Sequence, residues 1–279
     1  MLHARIFAYL LVAIGGASLA QADSSKAPGT HLSFVTCPIV RDTDPTPCWL
    51  AEYEGELYYL GLQQDTEAEF FPPQQGYKAL IEGVLTDKPR ICGGIPLEPV
   101  KATTLLPERD PSCNQILPAE GWVAPPARRG AIPRISPGIL ATEIDKPRPR
   151  RAPLPPPEPP FEITTFAIPF DFGSEFMLNK ATRATQRAQW YALGTNARKV
   201  EVIGYRAGAL LSNGKRLYED KRLPKQRALK VAEALRDIGV GDAEIEVRWV
   251  TRSEKVTGKE DYLLRRVDVI VTPGEDSAT

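Results

Sequence analysis

A run of prolines separates two regions of different character in this 279-residue chain. Thirteen of the 27 prolines lie between residues 118 and 160, a segment that ends in PRPRRAPLPPPEPP. Proline fixes φ and has no amide donor, so such a run forms neither helix nor sheet and favours extended polyproline II. We expect a linker over 118–160. It is either a spacer reaching on the order of 100 Å, at about 3.1 Å per residue, or a disordered tether without a required length.

The first 22 residues have the features of a secretory signal. A polar start with Arg5 precedes the apolar stretch IFAYLLVAIGGASLA, which is short for a membrane span. AQA then supplies the small-x-small pattern that a signal peptidase cuts. We expect cleavage after Ala22, with an uncleaved anchor as the alternative, and no transmembrane segment in the mature chain.

Export gives the four cysteines a meaning. Cys37, Cys48, Cys92 and Cys113 all precede the linker and are even in number, which predicts two disulfides in an oxidising compartment. Three connectivities are open, and the ease of closing short loops favours Cys37–Cys48 with Cys92–Cys113. A zinc site is the alternative, disfavoured because the sequence has neither paired CxxC spacing nor a nearby histidine cluster.

The formal net charge of zero conceals an uneven distribution. Basic and acidic residues number 7 and 15 in residues 23–123, 7 and 3 in 124–160, and 20 and 17 in 161–279. The regional net charges are therefore −8, +4 and +3. Neither domain is basic enough to favour nucleic acid as a partner. The distribution suits a binder of a surface polymer and equally suits plain solubility.

Residues 23–117 are expected to form a small β-rich domain. LAEYEGELYYLGLQ predicts a hairpin around Gly55, and both YKALIEGVLTD and PLEPVKATTLL alternate apolar and polar residues at the period of a strand. Five or six short strands with two disulfides favour a barrel or sandwich, with an OB-like barrel as one form. No family resemblance is evident here, and the ligand of this domain does not follow from its sequence.

Strands and helices alternate over residues 161–273, before a short tail at 274–279. Apolar positions three and four residues apart predict one helix over about 177–193 and a second from Pro224 to Gly239. ITTFAIPFDFGS, KVEVIGY, EIEVRWV and RRVDVIV predict four strands. The order β-α-β-α-β-β predicts an α+β domain, a two-layer sandwich with both helices on one face of a mixed sheet.

Four fragments of this domain carry a family resemblance. FDFGSEF, VIGY, L-x-x-x-RA-x-x-V-x-x-x-L-x-x-x-GV and RRVDVIV, in this order, resemble the OmpA-like peptidoglycan-binding domain over roughly residues 163–272. The resemblance implies that fold, with an unrelated ferredoxin-like domain as the alternative. It also implies a periplasmic protein associated with the cell wall or outer membrane, whose ligand is the diaminopimelate of the peptidoglycan stem peptide.

The family's ligand loop reads G-[YF]-T-D-x-x-G, then Asn, then L-S-x-x-R-A. Its Asp contacts the ammonium group of the ligand and its Arg contacts the carboxylate. This chain keeps GY at 204–205 and RA at 227–228, but Ala207 stands at the acidic position and Pro224 at the capping Ser. The loop is also about five residues longer, and LSNGK predicts an Asn-Gly turn within it.

The resemblance makes Arg227, Asp220, Tyr205 and Arg266 candidate peptidoglycan ligands. Arg227 offers a planar fork for a carboxylate at a helix start, and Asp220, matched to the family's Asn, offers a displaced anion for the ammonium. The alternatives are a surface Arg227 paired with an acid such as Asp220, a Tyr205 packed beside the sheet, and an Arg266 that points into solvent.

The sequence predicts no enzyme. His31 is the one histidine after the expected signal, so Ser-His-Asp and Cys-His schemes have almost no candidate base, and no cofactor or metal site is expected. We therefore expect a non-enzymatic cell-envelope protein, with the OmpA-like domain binding or docking at peptidoglycan and the N-terminal domain presented on a Pro-rich spacer. The alternative is a protein-interaction module of an envelope assembly that has lost wall binding through its changed loop.

Overall fold

The computed structural model describes residues 26–62, 71–126, 155–237, 239–240 and 245–274. The expected signal segment, most of the expected linker and the last five residues lie outside these ranges, so their roles stay predictions. Among the described residues, no helix has the length and hydropathy that crossing a membrane requires. This part of the chain is a sheet-rich α+β structure with two disulfides.

Seven strands precede the linker and pair in the order β1-β5-β6-β4-β3-β2-β7. They are β1 His31–Thr36, β2 Pro38–Arg41, β3 Cys48–Tyr53, β4 Glu56–Leu62, β5 Tyr77–Leu85, β6 Ile95–Arg109 and β7 Gln115–Leu117. The hairpin expected around Gly55 joins β3 to β4, and Glu54 and Gly55 take φ values of 53° and 77° in its turn. The long β6 pairs antiparallel with β5 and parallel with β4, so it links the two halves of the sheet.

This sheet curls around its own core. Phe34 in β1 stacks on Tyr53 in β3 with 4.5 Å between ring centroids, although three strands separate β1 from β3 in the sheet order. Strands lie about 4.8 Å apart, so a flat sheet would hold these rings about 20 Å apart. The buried apolar residues in this core of the N-terminal sheet are Leu32, Phe34, Trp49, Ala51, Tyr58, Leu60, Ala79, Ile81, Leu85, Leu97 and Ala102.

The pairing of the cysteines expected from loop length is wrong. Cys37 bonds Cys113 and Cys48 bonds Cys92. The reason is strand order: in the parallel β2–β7 pair Ile39 is the partner of Gln115, which sets Cys37 beside Cys113, each two residues earlier. With every cysteine in a disulfide, no thiolate remains for a zinc ion.

After the linker, a four-stranded sheet has the order β12-β9-β13-β8. The elements are β8 Thr164–Pro169, α1 Asn179–Gly194, β9 Lys199–Tyr205, β10 Gly208–Leu210, β11 Arg216–Tyr218, α2 Leu223–Asp237, β12 Ile245–Val250 and β13 Arg266–Thr272, with a 3-10 turn at Asp261–Leu264. β12 runs parallel to β9, and β13 runs antiparallel to both of its neighbours. The antiparallel hairpin β10–β11 is an addition to the order expected from the sequence, and it is formed by the lengthened loop.

Small side chains bring both helices onto one face of this sheet. Ala181, Ala184 and Ala188 of α1 share one buried cluster with α2 and with the valines of β9 and β13. Gly204 near the end of β9 is required because a Cβ there would overlap the carbonyl oxygen of Pro224. The close approach places the start of α2, and Arg227 one turn into it, directly over the end of β9.

The hairpin β10–β11 packs against the N-terminal sheet. Ala209 and Leu211 share a buried cluster with Leu80 of β5. The Ser212 amide donates to the Ser33 carbonyl at 2.7 Å, and the Ser33 amide donates back to the Ser212 hydroxyl at 2.9 Å. The two halves of the chain are therefore in direct contact.

Each end of the expected linker packs on the domain next to it in the chain. The Ala124 amide donates to the Asp44 carbonyl at 3.0 Å, which ties residues 121–126 to the N-terminal sheet. The Trp190 indole on α1 donates to the Pro155 carbonyl at 2.9 Å. Of the residues expected in the linker, those next to each domain are thus part of the packed structure.

Candidate functional site

Arg227 is buried completely, with its guanidinium held by a carboxylate. Its Nη1 and Nη2 donate to the two carboxylate oxygens of Glu219 at 2.9 and 2.7 Å, and both side chains are 0 % exposed. Its Nε donates to the Ser174 carbonyl at 2.7 Å, and Nη2 also donates to the Asp171 carbonyl at 2.8 Å. This is the bidentate geometry in which arginine and carboxylate interact most strongly.

Glu219 receives two backbone donors besides the guanidinium. The Gly173 amide donates to Oε1 at 2.9 Å and the Ala207 amide donates to Oε2 at 3.0 Å. Four hydrogen bonds thus satisfy the carboxylate, as a buried ion pair requires. Arg227 and the two amides form an anion site, and we name them with Glu219 the closed pocket.

The closed pocket is built by the segments that carry the family resemblance. Asp171, Gly173 and Ser174 belong to the FDFGSEF fragment, and Arg227 belongs to the RA pair. Ala207, at the position where the family has its Asp, contributes an amide and no charge. Glu219 follows β11, so its carboxylate comes from the added hairpin.

Asp220 lies outside the closed pocket. It is exposed and accepts from Arg222, at 2.7 Å from the backbone amide and 3.1 Å from Nε. These hydrogen bonds hold the pKa of the Asp220 carboxyl below its ordinary value. Among the described residues its charge is therefore engaged with Arg222, and no contact joins it to Arg227.

Tyr205 and Arg266 come together elsewhere on the domain. The Arg266 guanidinium lies over the Tyr205 ring at 4.7 Å, and it also binds Asp268 at 3.1 Å and Glu254 at 3.2 Å. Burial raises the pKa of the Tyr205 hydroxyl and of the Asp268 carboxyl above their ordinary values. The four candidate residues thus occupy three separate places instead of one groove.

Glu219 is the ion-pair partner of Arg227, and it was not among the candidate ligands. Ala207 stands where the resembled family has its Asp, so any acid that pairs with Arg227 has to come from elsewhere in the longer loop. An arginine at such a position needs a carboxylate to be buried, because an unpaired buried charge is costly. The sequence YED at 218–220 could have indicated this partner, because it places two acids at the end of the added segment.

Solved structures that are similar to part of this chain include an OmpA-like domain, a peptidoglycan-associated lipoprotein and a cell wall anchor. The OmpA-like domain of FopA1 from Francisella tularensis is 16% identical over 39% of this chain and 72% of that chain, with a TM-score of 0.32. The peptidoglycan-associated lipoprotein from Burkholderia pseudomallei is 20% identical over 39% and 89%, with a TM-score of 0.30. The cell wall anchor of the T6SS from Pseudomonas aeruginosa is 18% identical over 40% and 81%, with a TM-score of 0.31. No family model matches the sequence, and no curated protein matches it.

The resemblance to OmpA-like domains that the sequence indicated is confirmed by these matches, which cover about 40% of the chain. The similarity concerns this part of the chain alone. At such identities and TM-scores, this similarity says nothing about the ligand. Any inference about the ligand therefore depends on the contacts of this chain's own residues.

Proposed function

We propose that this chain is a non-enzymatic binding protein of the bacterial cell envelope. Its C-terminal domain has an OmpA-like fold but no working binding site for diaminopimelate. The observation that carries the proposal is the closed pocket. Arg227 is 0 % exposed and already holds a carboxylate through both Nη atoms. A stem-peptide carboxylate would have to displace Glu219 and replace two backbone hydrogen bonds with its own.

The ammonium group of diaminopimelate also lacks a suitable acid among the described residues of this loop. Ala207 stands where the family has its acid and is buried, while Asp220 is exposed and bound to Arg222. Arg206, beside Ala207, adds a positive charge that opposes an ammonium ion. A zwitterion needs an anion and a cation at a fixed separation, and this geometry offers it neither.

The segment that closes the pocket also joins the two halves of the chain. Glu219 follows the hairpin whose Leu211 packs beside Leu80, and buried Arg265 binds Glu82 of β5 at 2.6 Å. This supports a single binding unit made of both halves, as expected of a module within an envelope assembly. The two disulfides suit the oxidising compartment that the expected signal segment leads to.

Co-sedimentation with isolated sacculi tests the proposal. The full chain is mixed with purified sacculi, with and without millimolar free meso-diaminopimelate, and the lipoprotein from Burkholderia pseudomallei serves as the comparison. We expect diaminopimelate to leave the amount of sedimented chain unchanged, because no exposed donor of Arg227 is available to it. Sedimentation of this chain that free diaminopimelate abolishes would overturn the proposal.

A further inference from the structure

Two parallel strands of the C-terminal sheet end side by side. Tyr205 at the end of β9 is the register partner of Val250 at the end of β12, and the Arg206 amide donates to the Val250 carbonyl at 3.1 Å. Arg206 and Thr251 therefore leave the sheet at the same edge. In α/β structures, the crevice beyond the carboxyl ends of parallel strands is a common place for ligands.

An open groove of about 420 Å³ lies at this edge. We name it the basic groove, and its lining residues are Arg206, Tyr218, Lys221, Thr251, Arg252 and Ser253. Three of them are cations, the other three carry hydroxyl groups, and none is acidic. The volume falls in the range of about 300–1,000 Å³ that is typical of small-molecule sites.

Arg206 is held in a fixed orientation at this groove. Its Nε donates to the Glu219 carbonyl at 2.7 Å, and its guanidinium lies 5.6 Å from the centre of the Tyr218 ring. Within the described residues neither Nη atom has an acceptor. A guanidinium fork that is oriented in advance loses little freedom when it binds an oxyanion.

The other two cations of the basic groove are exposed. Lys221 and Arg252 form no ion pair with any residue that the structure describes. The acids that lie next to them in the chain are engaged elsewhere, since Asp220 binds Arg222 and Glu254 binds Arg266. No described acid forms an ion pair with Lys221 or Arg252, although the Asp220 carboxylate lies near enough to Arg206 for the two charges to attract.

We propose that the basic groove binds a phosphorylated sugar. Three cations around one groove exceed the charge of one carboxylate and suit a phosphate monoester, which carries nearly two negative charges at neutral pH. Thr251 and Ser253 offer hydroxyls, and the half-exposed Tyr218 offers a ring edge, for a sugar attached to that phosphate. The lining holds no aliphatic side chain, which disfavours an acyl chain as occupant. The lining of the basic groove includes none of the residues of the closed pocket, although the Glu219 carbonyl orients Arg206. The proposal does not require the function proposed above, because it concerns a different ligand at a different place.

The first test compares three small ligands by calorimetric titration of the full chain. The probes are glucosamine 6-phosphate, glucosamine and inorganic phosphate. We expect saturable binding of glucosamine 6-phosphate at millimolar concentration or below, weaker binding of inorganic phosphate, and none of glucosamine. The proposal is overturned by absence of saturable binding of the sugar phosphate, or by equal affinity for either of the other two probes.

Matched variants locate the binding at the groove. Lys221→Gln and Arg252→Gln each remove one exposed cation, and we expect each to weaken binding of glucosamine 6-phosphate by about tenfold. Arg216→Gln is the control, because Arg216 is also exposed and lies on the same hairpin as Tyr218 but does not line the groove. Equal losses in all three variants would mean a diffuse charge effect and would refute the site.

Vesicles distinguish a sugar phosphate from a lipid headgroup. The full chain is mixed with vesicles of phosphatidylcholine alone and of phosphatidylcholine with phosphatidylglycerol, and the vesicles are sedimented. We expect the chain to sediment equally with both kinds of vesicle. An enrichment on the anionic vesicles that is lost in Arg252→Gln is therefore not expected. Such enrichment, with no binding of glucosamine 6-phosphate, would assign the groove to a membrane surface and overturn the proposal.

Discussion

Two buried glutamate–arginine pairs lie in the part of the chain that the structure describes, and they differ in how completely their atoms are satisfied. In the closed pocket, Glu219 accepts four hydrogen bonds and Arg227 donates to Glu219 and to two carbonyls. Between the halves of the chain, Glu82 and Arg265 meet at 2.6 Å, but Glu82 Oε2 and Arg265 Nε have no partner among the described residues.

The difference shows what each pair contributes. A buried pair stabilises a fold only when other hydrogen bonds replace the lost water. Segments of one domain supply those bonds to Glu219, whereas Glu82 and Arg265 come from opposite sides of an interface. Burial raises the pKa of the Glu82 carboxyl despite the opposing effect of Arg265, so desolvation outweighs attraction there. The contact between the halves therefore depends chiefly on apolar packing around Leu80 and Leu211.

The largest effect is expected from Glu219→Gln. The amide cannot neutralise the buried Arg227 guanidinium, and removal of one partner of a buried pair commonly costs about 3–5 kcal/mol of unfolding free energy. Urea unfolding of the full chain measures the loss. Asp220→Asn is the matched control, since Asp220 is the next residue but forms an exposed pair worth about 0–1 kcal/mol. A loss at Glu219 no larger than that at Asp220 would contradict the role of the closed pocket.

A smaller loss is expected from Leu211→Ala. Leu211 is 6% exposed in the interface cluster, so its truncation should lower the unfolding free energy by about 2–3 kcal/mol and speed amide exchange in β1 and β5. Leu229→Ala on α2 is the control, because that leucine is 44% exposed. Unchanged exchange in the N-terminal strands would show that the hairpin does not stabilise them.

Much of the fold could be predicted from local periodicity. The helices follow from apolar residues three and four apart, and Ala181, Ala188, Ala228 and Val231 are buried as that spacing requires. The hairpin β3–β4 follows from EG between two apolar runs. These patterns depend on neighbours in the chain, which the sequence displays directly.

The sequence of β5 indicates the contact between the two halves of the chain less clearly than local periodicity indicates the helices. Ala79 and Ile81 face the N-terminal core, while Leu80 lies in the interface cluster and Glu82 pairs with Arg265. A strand covered on both faces has a nearly continuous apolar run, and ALIEGVL has that character despite its apparent alternation. What covers the second face cannot be inferred from the strand itself, because the hairpin is more than a hundred residues away.

The candidate site could be predicted only in part. Arg227 was found because its fragment keeps the family's spacing, but its partner Glu219 belongs to an added hairpin with no counterpart in that pattern. The disulfide pairing failed for a related reason, since loop length says nothing of the parallel β2–β7 pair that brings Cys37 to Cys113. In both cases the decisive contact is set by how distant segments pair.

The smallest effect, and the sharpest contrast with Glu219, is expected from Glu82→Gln. Its folded-state pKa is raised above the ordinary 4.5, so the folded chain binds a proton at Glu82 more tightly than the unfolded chain does. The contribution of Glu82 to stability is thus fully present below about pH 4.5 and is lost as the pH rises through the raised folded-state pKa. Gln resembles the protonated acid, and burial of the Glu82 charge outweighs its attraction to Arg265, so the variant should lower the unfolding free energy at pH 7 by less than Glu219→Gln does. Melting temperatures of both proteins between pH 4 and 8 provide the measurement, and the difference should move in favour of Glu82→Gln as the pH rises. A difference that moves the other way would mean that the Glu82 charge is needed at the interface, as the Glu219 charge is needed in the closed pocket.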